Sequence, residues 1–189
     1  LVTAVQPGAA PPPTGAAPHQ PRLVLVCLGT PSDPTAPAAL LPAVALRLSR
    51  ATGLPLRSIP RPDSPPQALA DLLAASGPWL APLPLDPGLA LAQGSWAEAL
   101  GAWRQPTLLV VDQAQLVTGI PAASTALLER WSVPLLGLLQ WGGGWDASAR
   151  RRDQLPWLGL LADTEGPDPD ADPAALLLLS WSRWRDRLS

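Results

Sequence analysis

At 189 residues, with 47% apolar side chains and a formal net charge of −2, the chain has the length of one globular domain and can bury a sizeable core. The charge gives no electrostatic reason to expect nucleic acid, and no apolar run approaches the ~18 residues that would span a bilayer. A single cysteine, Cys27, excludes an intrachain disulfide, and every cationic side chain is Arg, so no lysine can reach nucleotide phosphates or form a Schiff base.

Residues 1–21, LVTAVQPGAAPPPTGAAPHQP, are Pro, Ala and Gly with almost no charge and no apolar periodicity. Such a stretch buries too little apolar surface to offset chain entropy and reads as a disordered tail. It carries the sole histidine, His19. The remainder, 22–189, reads as a single α/β domain. RLVLVC predicts a strand from Arg22. AALLPAVALRLSR predicts a helix that Pro42 either kinks or starts. LPLRSIP predicts a short strand, PPQALADLLAAS a helix with Pro66 in its first turn, and WLAPLP a weak strand. SWAEALGAW predicts a short helix that Ser95 can cap. PTLLVVD is the clearest strand in the chain.

GIPAASTALLERW predicts a helix starting at Pro121, with Ala123, Leu127 and Trp131 as its apolar stripe. VPLLGLLQW and LPWLGLL are unbroken apolar runs, as expected of strands buried on both faces. DPAALLLLSWSRWRDRL predicts a closing helix whose stripe, Leu177, Trp181, Trp184 and Leu188, should dock on its own sheet rather than on a membrane. Strands alternating with helices imply a three-layer α/β fold: a mostly parallel sheet with helices on both faces.

Ligands in such sheets bind beyond the carboxyl ends of the strands. Two loops fall there. LGTPSDPTAP, Leu28 to Pro37, offers Gly29, Thr30, Ser32 and Asp33. Its three prolines lack N–H donors, and Asp33 would repel phosphate, so a proline-braced turn is expected rather than a phosphate cradle. VVDQAQLVTGIP offers Asp112, Thr118 and Gly119. Asp112 could hold Mg²⁺ through water or cap the loop. These seven residues are the candidate ligand-binding set, and no catalytic or metal-ligating residue is expected. WGGGWDASARRRD reads as a mobile glycine turn followed by a solvated Arg150–Arg152 run. DTEGPDPDAD, with Asp163, Glu165, Asp168, Asp170 and Asp172, lacks the spacing of a calcium loop. The nine Trp residues read mostly as packing, and Cys27 as a buried filler.

The stretch WRQPTLLVVDQAQLVTGIPAASTALLERWSVPLLGLLQWGG, Trp103 to Gly143, resembles dethiobiotin synthetase, a member of the P-loop NTPase class that also holds the ParA-like partition ATPases. LPWLGLL then resembles that family's last strand. The resemblance implies a P-loop NTPase-like scaffold, and in an active member ATP and Mg would be the cofactors. The family's first loop has the form G-T-x-x-x-x-G-K-T. Gly29, Thr30 and Asp33 fit it, while its later Gly, Lys and Thr fall on Thr35, Ala36 and Pro37. The substrate-side lysine has only Arg57 or Arg61 near it, and the base-reading Asn falls on Trp141. Residues 23–75, starting LVLVCLGTPSDP, are also similar to the small sirohydrochlorin chelatases, whose metal-inserting His should stand near Leu28 or Gly29.

Together these readings imply a cytoplasmic protein, a pseudoenzyme without cofactor, that binds a small molecule or a protein partner. Neither nucleic acid nor membrane is an expected partner, and a homodimer is allowed. The alternatives are an active ATP-dependent dethiobiotin synthetase of biotin biosynthesis with atypical residues, and a chelatase-like protein that handles tetrapyrrole or metal.

Overall fold

The computed structural model describes residues 20–29, 36–163 and 173–186. Residues 1–19 of the proline-rich tail and most of the acidic segment before the last helix lie outside them; the tail's last residue, Pro21, is held to the sheet, its O accepting from Trp79 N (2.9 Å). Five parallel strands form one sheet: β1 (Arg22–Val26), β2 (Trp79–Pro82), β3 (Thr107–Asp112), β4 (Leu135–Trp141) and β5 (Trp157–Leu161), in the order β2-β1-β3-β4-β5. The helices are α1 (Ala36–Thr52), α2 (Pro65–Ala74), α3 (Trp96–Ala102), α4 (Ile120–Arg130), α5 (Ala147–Asp153) and α6 (Pro173–Asp186). This is the expected three-layer α/β architecture.

The alternation of side chains along a strand builds the layers. Leu23, Leu25 and Cys27 of the first strand segment, with Leu108 and Val110 of β3, face one way and pack with Leu41, Val44 and Leu48 of α1 and Leu177 and Trp181 of α6. Val24, Val26, Leu109 and Val111 face the other way, against Ala68, Leu69 and Leu72 of α2, Trp96 and Leu100 of α3 and Leu128 of α4. β1 and β3 are buried on both faces, which is why their sequences read as unbroken apolar runs.

Three local expectations change. LPLRSIP forms no strand: it contributes one parallel bridge, Leu56 to Leu80, outside β2. Leu80 N donates to Pro55 O, and Arg57 N to Leu80 O, each at 2.9 Å. Pro55 in this segment and Pro82 on β2 lack the N–H donors of the next rungs, so the ladder stops on both sides. α1 runs through Pro42 without interruption, with the proline ring on the solvent side. On α4 the buried line is Pro121, Ser124, Thr125 and Leu128, while Ala123 and Trp131 are exposed. Ser124 Oγ donates to Ile120 O (2.6 Å) and Thr125 Oγ1 to Pro121 O (2.9 Å). With their hydroxyls satisfied inside the helix, both residues can be buried.

Candidate functional site

The connections leaving β1 lead to the β2 side of the sheet, and those leaving β3 lead to the β4 side. The boundary between β1 and β3 is therefore the topological switch point, and the crevice beyond their carboxyl ends is the default ligand position. Both sequence-predicted loops emerge there. Gly29, Asp112, Thr118 and Gly119 are described, whereas Thr30, Ser32 and Asp33 lie outside the described residues.

The crevice is stitched together by side chains that the sequence did not single out. Gln115, buried in the 3₁₀ turn Gln113–Gln115, donates from Nε2 to Leu28 O (2.9 Å). Its Oε1 accepts from Asp112 N (3.0 Å) and from the Cys27 thiol (3.9 Å). One amide thus ties the loop after β1 to the loop after β3. The Asp112 carboxylate accepts from Ala114 N (3.0 Å), completing a capping box with Gln115. Thr118 Oγ1 donates to Gln115 O (2.6 Å) and accepts from Ile120 N (3.2 Å). Gly119 is the N-cap of α4, exposed and with open space where a side chain would sit.

The second unforeseen residue is Asp86, in the turn Asp86-Pro87-Gly88 beyond β2. Its Oδ2 accepts from Gly29 N at 2.8 Å, and its Oδ1 from Gly88 N at 2.7 Å. The backbone donor of Gly29, the loop's only glycine, is therefore engaged by a carboxylate of the protein itself. An incoming phosphate would have to displace that carboxylate and lie beside its charge. The start of α4 offers little in exchange: Ile120 N is held by Thr118, and Pro121 has no N–H.

Glycine matters at one point of this roof. Gly143 follows β4 with φ of +71°, and an added Cβ would meet the Gln113 side chain at 2.6 Å. The glycine turn lets the β4 loop close against the β3 loop. Gln140, fully buried at the end of β4, donates from Nε2 to Gly142 O (2.9 Å) and Gly144 O (3.0 Å) and fixes that turn. The Arg150–Arg152 run is helical rather than loop, with Arg151 and Arg152 exposed as expected: it lies in α5, where the Asp146 carboxylate accepts from Ser148 N and Ala149 N, each at 2.9 Å. Those bonds, the one from Ala149 first, hold the Asp146 carboxyl below the usual carboxylate range.

The buried Cys27 thiol is pushed up to about 12, chiefly by burial. The Gln115 hydrogen bond acts in the opposite direction, and the Asp112 and Asp86 charges, smaller still, add to the rise. Cys27 is a neutral thiol at physiological pH and no nucleophile. Among the described residues no three His, Cys, Asp or Glu side chains group as metal ligands. Beside the crevice a mostly apolar hollow of about 210 Å³ lies between Pro37, Leu41 and Pro42 of α1, Ser58 and Ile59, and the Pro82–Pro84 end of β2.

Asp86 and Gln115 each left a trace in the sequence. Asp112-x-x-Gln115 has the spacing of a capping box, and Asp86-Pro87-Gly88 that of a turn. Their reach to Leu28 and Gly29 left none. No protein-family model matches the chain, and no curated protein matches it. No helix among the described residues is long and apolar enough to cross a membrane.

Proposed function

We propose that this chain is a non-catalytic binding protein on a dethiobiotin synthetase-like scaffold, with neither ATP nor Mg as cofactor. The observation that carries the reading is the hydrogen bond from Gly29 N to Asp86 Oδ2. A phosphate loop must present its first donors outward to an anion, and here the donor is turned to an internal carboxylate. The sequence supports the same reading, because no lysine is available to hold the β- and γ-phosphates. The partner is a small molecule or a protein in the cytoplasm. The hollow between α1 and the end of β2, with its proline rings and the Ser58 hydroxyl, is about 210 Å³, smaller than drug-sized sites, and has room for only a very small, largely apolar group.

The test is titration calorimetry with Mg-ATP. Each lost charge-assisted bond removes roughly 1.5–3 kcal/mol. Losing the lysine and the loop donors moves a micromolar site beyond about 1 mM. No binding below about 1 mM is the expected result. A micromolar dissociation constant would overturn the reading in favour of an active ATP- and Mg-dependent synthetase.

A further inference from the structure

We propose a second ligand site, apart from the crevice, at the β5 edge of the sheet: a hollow under α5 that takes a small aromatic carboxylate. Its volume is about 440 Å³, within the range of small-molecule sites. The lining includes Trp145, Arg150, Arg151, Gln154, Leu155 and Trp157. Trp145 and Trp157 meet edge to face, with centroids 6.2 Å apart and planes at 81°. They form an aromatic corner, and Trp145 remains 38% exposed. A planar ring in that corner gains the offset or edge contacts that aromatic groups favour.

The polar groups of the hollow have more donors than acceptors. The Arg150 guanidinium lies 4.6 Å from the centroid of the Trp157 ring, and its Nη1 is 3.1 Å from Asp153 Oδ2. Asp153 is already heavily used, accepting from Trp157 Nε1 at 3.0 and 3.1 Å and from Leu155 N at 3.0 Å. Arg150 Nε is buried and has no acceptor among the described residues. The remaining contact of Arg151 is a long one, 3.5 Å to Ser148 Oγ. Across α5 the three guanidinium groups of Arg150, Arg151 and Arg152 stand against the two carboxylates of Asp146 and Asp153, leaving one net positive charge. That balance fits a single carboxylate attached to a ring, whereas a polyphosphate would bring more negative charge than the site can neutralise beside Asp153. Arg suits the role because its planar fork matches a carboxylate.

The probe is indole-3-acetate, titrated into the full chain by calorimetry, with the uncharged indole-3-acetamide as comparator. The acetate should bind at least about tenfold more tightly than the amide. Trp145→Ala should weaken the acetate about tenfold or more, and Arg151→Gln about threefold or more, while Trp131→Ala, at an equally exposed tryptophan elsewhere, leaves it unchanged. Should Trp145→Ala fail to fold, Arg151→Gln decides, since that side chain lies at the surface. Equal affinity for acetate and amide, no acetate binding by about 10 mM, or an equal loss in Trp131→Ala overturns the proposal. None of these readouts depends on nucleotide, so the site stands or falls separately from the reading of the crevice.

Discussion

Gln115 does with one side chain what the crevice needs from two loops. Its amide is bonded to Leu28 O on one side and to Asp112 N on the other, inside a site too buried for water to replace it freely. Truncation to Ala leaves Asp112 N unpaired and Leu28 O with only the long contact from the Cys27 thiol (3.5 Å), and an unsatisfied buried group costs about 1–3 kcal/mol. Gln115→Ala should therefore lower unfolding stability by at least about 1 kcal/mol in urea titration. A change below about 0.5 kcal/mol would mean that the two loops hold their positions without it. The capping half of this arrangement was legible, because Asp112 and Gln115 stand three apart. The other half joins residues 87 apart in sequence, and Asp86 meets Gly29 across 57. Local chemistry carries no record of such pairings, since they are set by the order of strands in the sheet.

Among the elements, strands and helices were legible where apolar periodicity was strong. β3 and β4 are long apolar runs and stand where their sequences put them. The edge segment around Leu56 failed because proline removes donors that hydropathy does not count. The buried line of α4 was missed because Ser124 and Thr125 look polar in sequence yet spend their hydroxyls on their own helix. α6 follows the apolar pattern: Leu177 and Trp181 are buried against the α1 side of the sheet, with Trp184 half-buried and 5.0 Å from Trp181, ring to ring. Leu188 lies outside the described residues. α6 closes the layer it shares with α1, so Trp181→Ala should reduce unfolding stability by about 3–5 kcal/mol, as truncation of a buried Trp does. A loss of less than about 1 kcal/mol, together with lost vesicle binding, would mean that the helix serves a membrane instead.

For the whole molecule, the unusual composition isolates one titration. The chain has no Tyr and no Lys, its cations being thirteen Arg, so Cys27 is the only side chain that ordinarily ionises between about pH 8 and 11. Burial between β1 and the α1 layer moves its thiol from 9.0 to about 12 in the folded state. Between those values the folded chain keeps the proton that the unfolded chain has lost. The folded state then binds more protons, and stability falls as pH rises. The contribution is fully present below about pH 9 and is lost progressively towards pH 12. One proton corresponds to a slope of about 1.4 kcal/mol per pH unit. Urea unfolding followed from pH 8 to 11.5 should show this alkaline decline, on the order of 1.4 kcal/mol per unit at its steepest. Cys27→Ala should lower the neutral-pH stability through lost packing yet flatten the decline. A variant that keeps the full slope would place the titrating group elsewhere, in the terminal amine. A parent protein with no slope would mean that solvent reaches the thiol, and that the stitch of Gln115 across the crevice opens in solution.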